Sequence, residues 1–271
     1  MKIRKTGAGV VLDILFSLIF SSCKKSDRDL DTDLSAAENN SLSENILTGV
    51  LKSIGQFTDT TWQIRFSTCA VSSIVPADTF TFPKTLTINF GTSNCMCADG
   101  NQRRGIITAN FSGRYRDSLT VINITLTNYY HNDNSIITGG FSITNKGRNA
   151  SGHLNYLVNV QNAAINSSTG SISWNGTHNY EWISGEATIF NPFDDIYSIT
   201  GASNGRGIDG NSFTSIINTP LIIALNCAYI EKGSFTLSPA NLSNRVVDFG
   251  SGNCDNQATI SINSKSYDFT Q

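Results

Sequence analysis

Few side chains in this sequence can do acid, base or nucleophilic work. There are three histidines, His131, His153 and His178, the first in a turn and the others in or near strands. A Ser-His-Asp arrangement needs convergence in space, and no nucleophile elbow, HExxH helix or phosphate loop accompanies these residues. The acids Glu186, Asp194, Asp195 and Asp209 lie around the loop-like "NPFDD" and "NGRGIDG". Paired across a cleft they would suit glycoside hydrolysis; as solvated loop carboxylates they would do nothing catalytic. Arg103 and Arg104 read as a charged loop tip before a strand, a place where ligands are met. Asp29, Asp31 and Asp33 have the spacing that opens a calcium loop, but Leu34 replaces the required Gly and Asn40 the bidentate Glu.

The cysteines carry a stronger pattern. "FGTSNC" at Phe90 to Cys95 is nearly repeated by "FGSGNC" at Phe249 to Cys254, and each follows a Cys-Ala pair, at Cys69 and Cys227. The cysteines of each unit are separated by 26 and 27 residues. A hairpin stapled across its two strands explains this: Leu86, Ile88 and Phe90 alternate along one return strand, Val247 and Phe249 along the other, and Gly91 and Gly250 end them. The expected bridges are Cys69–Cys95 and Cys227–Cys254, each worth about 3 kcal/mol. Cys97 is then the odd thiol, although it can replace Cys95 as the partner of Cys69. The "CMC" at Cys95 to Cys97 lacks the further ligands a metal site needs, so no metal and no cofactor is expected.

These residues sit in a chain of 271 with 15% charged residues, a net charge of -2 and 10% aromatics. That balance predicts a folded chain with no electrostatic footprint for nucleic acid. Ser, Thr, Asn and Gly fill the remainder, the composition of many strands joined by tight turns. After about Trp62 the hydrophobic period is two. Ile122, Ile124 and Leu126 alternate with Asn123, Thr125 and Thr127; Leu154, Tyr156, Val158 and Val160 share one face, as do Ile137, Phe141 and Ile143. "HNDN", "NKGRNAS" and "NSSTG" supply turns. The segment from Pro192 to Gly210 reads as loop. The fold class is all-β: a long, curved antiparallel meander with one buried face. Residues 41–57 have a helical period, with Ser41 or Ser43 as cap, and predict one amphipathic helix packed on the sheet. Trp62, Trp174, Trp182, Tyr129, Tyr130, Tyr156 and Tyr180 mostly share faces with aliphatic residues, which reads as core; on an exposed face they would stack sugars or line a lipid groove.

The first 22 residues form a basic, apolar, small-residue targeting segment. Its apolar run of about 14 residues is short of the roughly 20 that span a bilayer. "SSC" before the cut resembles the lipobox of bacterial lipoproteins and implies lipidation at Cys23, which anchors the chain to a membrane. Residues 23–40 then read as a flexible polar tether and 41–271 as a single β-rich domain. The lipobox, the tether, "FPKTLTINFGTSNC", "DGNQRRGIITANFSGRYRD" and "CDNQATISINSKSYDF" resemble an uncharacterised family of Bacteroidota lipoproteins. That resemblance implies an outer-membrane, lipid-anchored location on the periplasmic or surface face, and a β-rich body; it brings no catalytic residue. "CKKSD" resembles surface-export signals, and Asp59–Thr61 and Asp117–Leu119 resemble O-glycosylation sites. The expected function is a non-enzymatic envelope lipoprotein that binds a glycan or protein partner or has a structural role. A glycan hydrolase and a lipid or lipoprotein carrier are the alternatives.

Overall fold

The computed structural model describes residues 31–55, 70–97, 99–188 and 191–271. Cys23, Trp62, Cys69, Asp29 and the Asp59–Thr61 motif lie outside them. The described chain opens with helix α1, Ser35–Gly55. Strands β1 (Val71–Val75), β2 (Lys84–Asn89), β3 (Cys95–Met96), β4 (Gln102–Phe111), β5 (Val121–His131), β6 (Asn134–Ile137) and β7 (Gly140–Arg148) follow. After them come β8 (Leu154–Asn166), β9 (Ser171–Ser184), β10 (Ile196–Arg206), β11 (Ser212–Ala224), β12 (Lys232–Pro239), β13 (Arg245–Ser251), β14 (Gln257–Ile262) and β15 (Lys265–Thr270). All join one antiparallel sheet whose order follows the chain, with β6 and β7 sharing the lane between β5 and β8.

The expected meander is therefore present, and its turns follow the expected chemistry. Asn132 and Asp133 take positive φ in the β5–β6 hairpin, as Asn263 and Ser264 do in β14–β15, which suits the right-handed twist of the flanking strands. The loop expected from Pro192 to Gly210 is mostly strand β10: Gly201 and Gly205 sit within the paired strand, and only Gly207 and Gly210 belong to the turn that follows it. Ile137 is 61% exposed, not on the buried face with Phe141 and Ile143. The interruption at residues 138–139 shifts the alternation, and Ile136 points inward instead.

The helix departs most from expectation. It starts at Ser35, not Ser41, so the end of the supposed tether is helical. Ser41 and Ser43 lie inside it, and the Ser43 hydroxyl donates to the Asn39 carbonyl, a helix-interior use of serine. The Asp33 carboxylate accepts from the Ser35 N–H at the start. Asp31 is also fixed: its carboxylate accepts from the Ser243 N–H and from Arg245, which is fully buried. Nor is the helix one-sided. Ala37, Ile46, Leu47, Val50 and Ile54 are buried, but so are Asn40, Ser41, Ser43, Glu44, Thr48, Lys52 and Ser53.

Helix α1 is reached from many strands: Arg103 and His131 lie against Gly49, Trp174 and His178 meet Asn40 and Glu44, and Asp33 meets Arg245. The buried face of the sheet is folded around the helix, and sheet curvature of this kind needs bulges and glycines. They occur at Gly105, where a Cβ would overlap the Asn128 carbonyl, at Gln161–Asn162 opposite Asn175, and at Gly233 against Pro220.

Candidate functional site

The doubled motif is structural, and it repeats to the backbone angle. Gly91 and Gly250 both have φ of 84°. Each donates its N–H to the residue two before it, Asn89 in one case and Asp248 in the other, at 2.8 Å. Phe90 and Phe249 turn into the core, against Tyr129 and Phe235. The Asx turn ends β2, whereas β13 runs on past Gly250 to Ser251, contrary to the expectation that Gly250 ends it; in both the turn buries the Phe and sends the chain toward the cysteine. Cys227 and Cys254 form a disulfide with Cα atoms 5.7 Å apart, closing the β12–β13 hairpin as expected. Cys95 is disulfide-bonded, and the partner expected for it, Cys69, lies outside the described residues. Cys97 is a buried thiol, its Sγ 3.7 Å from the Cys95 carbonyl. The Glu231 carboxylate lies beside the Cys227–Cys254 sulfurs, but sulfurs committed to a disulfide are poor metal ligands.

The acids expected as a possible catalytic pair have separate tasks. Glu186 binds Arg148. Asp194 accepts from the Thr188 hydroxyl, and Asp195 is buried and accepts from the Trp182 indole at 3.2 Å. Asp209 accepts from Asn211 within its own turn. The histidines are equally dispersed. His153 pairs with Glu181 at 2.7 Å near the surface. His131 is no turn residue: it ends β5 on the inner face, and burial and the neighbouring Arg103 push it down to about 3. His178 is buried 3.3 Å from Glu44. Burial alone would lower it, but the Glu44 carboxylate outweighs that and raises it. Arg103 is not in a loop either. It lies buried on β4 and grips Asp99 with both amino groups, at 2.7 and 2.5 Å. Burial opposes the ionised Asp99, but Arg103 and Asn101 hold it down to about 2. Arg104 faces outward over the Tyr130 ring, 3.6 Å from its centroid, and binds Asp133.

Trp174, Trp182, Tyr129, Tyr156 and Tyr180 are core. The space they enclose is small. Between the C-terminal half of α1 and the sheet, Lys52, Tyr115, Tyr156, Tyr180 and Tyr197 with aliphatic neighbours line a cavity of about 30 Å³, room for a water molecule or two. The Lys52 ammonium donates to the Cys227 carbonyl at 2.6 Å. Burial pulls it down to about 8, against the pull of Asp99 and Glu231.

Among the described residues a wider concavity lies on the outer face. An open crease of about 450 Å³ crosses β8, β9 and β10, lined by Asn159, Gln161, Asn162, Asn175, Thr177 and Asn204 around Val160, Gly176, Ala202 and Ser203. Its origin is local. The β8 bulge sets Gln161 and Asn162 against the single residue Asn175, between the pairs Val160–Gly176 and Ala163–Trp174. Asn162 takes φ of 50°, and its spare N–H donates to the Asn175 side chain at 2.8 Å. The Asn175 amide in turn donates to Asn204, and the Thr177 hydroxyl to Asn159. Gly176 at its centre faces inward, and the Trp174 ring fills the place of its side chain: a Cβ there would lie 2.1 Å from the ring. That indole donates to Asn40 at 2.9 Å, so the floor of the crease is tied to the helix.

Sequence reasoning named Val160 only as a core-facing residue and Asn204 only as part of a loop, and brought none of the crease residues together as a site. One signal was present: in "YLVNVQNAAI" the apolar phase runs Tyr156, Val158, Val160 and then jumps to Ala163 and Ile165, the mark of an inserted bulge residue. Comparison with known protein families, with curated proteins and with solved structures finds no match to this chain.

Proposed function

We propose that this chain is a lipoprotein of the bacterial cell envelope, anchored by a lipid on Cys23, and that its β body is a non-enzymatic binding module working through its outer face. The observation that carries this reading is the contrast between the two faces. Among the described residues the chain's own helix packs against the inner face, and the cavity beside Lys52 holds about 30 Å³, whereas the outside carries an open polar crease of about 450 Å³, within the ~300–1,000 Å³ range of small-ligand sites. A carrier needs an apolar groove that an acyl chain can enter. A hydrolase needs converging carboxylates, and Glu186, Asp194, Asp195 and Asp209 are each bonded elsewhere.

The anchor is tested by metabolic labelling with an alkyne fatty acid followed by membrane fractionation. The wild-type chain takes the label and sediments with the outer membrane, and Cys23→Ala loses both. Labelling that survives Cys23→Ala would sink the anchor. Release of reducing ends from polysaccharides by the purified chain, abolished by Glu186→Gln or Asp195→Asn, would sink the non-enzymatic reading.

A further inference from the structure

Resting on that binding-module reading, we infer that the β8–β10 crease binds an uncharged carbohydrate chain. Four features select this class. The crease lining contains no ionisable side chain, so a phosphate, a carboxylate or a basic peptide finds no counter-charge there. Its rim is carboxamide and hydroxyl, groups that both donate and accept, as sugar hydroxyls do. Among the described residues the exposed side chains of Gln161 and Asn162 have no hydrogen-bond partner; they lie beside Gly139 and Gly140 at the bulge. Beside these amides, Ala202 pairs across the sheet with Ile216, which is 59% exposed. A small apolar step next to a row of amides matches the C–H face and hydroxyl edge of a pyranose. The aromatic and Arg anchors typical of protein interfaces are absent from the crease lining.

The amides are also held in place before a ligand arrives. Asn162, Asn175 and Asn204 are chained by hydrogen bonds over three strands, so little rotamer freedom remains to be lost on binding. A row of outward partners, Thr85, Asn110, Asn123, Ser142, Asn159 and Thr177, leads into the crease from β2. A chain longer than the crease has further hydroxyl and amide contacts along that row.

The test is calorimetric titration of the full-length protein with neutral polysaccharides (starch, mannan, xylan, mixed-linkage glucan) and with anionic pectate and heparin. Ala202→Arg fills the crease from an exposed position and touches none of its hydrogen bonds. Gln161→Ala removes a rim amide while leaving the hydrogen bonds of Asn162, Asn175 and Asn204 intact. At least one neutral polysaccharide binds the wild type, and each variant, with its melting temperature unchanged, weakens it at least about tenfold, the loss of one or two hydrogen bonds. Equal binding by wild type and Ala202→Arg would overturn the assignment to the crease. Preference for pectate or heparin, or no binding to any neutral polysaccharide, would overturn the ligand class. A photo-crosslinker placed at Ile216 separates the two levels: capture of a protein, blocked by Ala202→Arg, overturns the carbohydrate inference but leaves the binding module standing. The Cys23→Ala fractionation is independent of both.

Discussion

Replacing Asn40 by Leu tests whether the polar helix is a structural requirement of the sheet that surrounds it. Asn40 is fully buried; its Oδ1 accepts from the Trp174 indole at 2.9 Å and the Ser203 hydroxyl at 3.0 Å, and its amide donates to Ser215 at 3.3 Å. Leucine has the same branching and number of side-chain heavy atoms and is somewhat bulkier, so no cavity opens. It strands an indole N–H and two hydroxyls in a dry interior, and each stranded group costs about 1–3 kcal/mol, less where a hydroxyl can rotate to another acceptor. Leucine's better helix propensity returns about 0.5 kcal/mol. The net is a loss of about 3–5 kcal/mol. Urea unfolding followed by tryptophan fluorescence reads it directly. With a denaturant slope of roughly 3 kcal/mol/M for a domain this size, the midpoint falls by roughly 1–1.7 M. Glu38→Ala, the exposed position of the same helix, stays within about 0.5 kcal/mol of wild type. A shift below about 0.2 M for Asn40→Leu would refute the reasoning, because a hydrophobic replacement would then be as good as the polar one.

Acidification engages His131 first. Its folded value, about 3, lies below the unfolded value near 6.5, so the unfolded chain takes the proton first. Stability then falls as pH drops from about 6.5, by about 1.4 kcal/mol per pH unit, and His131→Gln flattens the slope of the urea midpoint between about pH 6.5 and 5. His178 acts with the opposite sign: its raised value gives stability that is complete below the unfolded value and lost as pH rises through the folded one, so Glu44→Gln weakens the protein more at about pH 6 than at pH 8. Replacing Cys227 and Cys254 together by alanine costs about 3.5 kcal/mol for their 27-residue loop; an unchanged urea midpoint would remove the staple from the stability argument. Gly91→Ala and Gly250→Ala meet no atom within 4 Å, so each loses only the backbone term, about 1–2 kcal/mol, and the two add in the double variant because they lie in separate hairpins.

What was legible in the sequence, and what was not, divides along range of interaction. The meander, its turns and the Cys227–Cys254 bridge follow from period-two patterning and turn residues, which act over a few positions. Phe90 and Phe249 were recognised as strand ends, but not the acceptors at Asn89 and Asp248 that make the turn. The helix was read as one-sided because Glu44 and Lys52 look like solvent positions on a helical wheel, and Asn40 was read as part of the polar tether. They are inside because Trp174, His178 and Cys227, more than 130 residues further on, supply their partners, and no local pattern encodes a partner at that distance. Arg245 was missed for that reason too, with Asp31 as its partner. Arg103 was read as a loop residue for a different reason: its partner Asp99 is only four residues away, but Arg103 is buried on β4, where Asp99 satisfies a charge that would otherwise keep it outside.

The crease and the enclosure of the helix are two sides of one distortion. A strand that gains one residue bends and twists there; at Gln161–Asn162 the bend turns the inner face toward Trp174 and Asn40 and parts the side chains on the outer face. Deleting Asn162 tests that link. The deletion restores strict alternation through β8, so either Tyr156, Val158 and Val160 or Ala163 and Ile165 must turn to solvent, and a one-residue slip moves a whole hydrophobic set. The expected result is an unfolded or molten chain, seen as loss of the cooperative melt. Asn162→Gly keeps the extra residue and its φ of 50°; it holds stability within about 1 kcal/mol, because glycine accepts that conformation without strain. Asn162→Val, which does not, costs about 1–2 kcal/mol. A deletion variant that melts like wild type would mean that the bulge neither shapes the crease nor seats the helix.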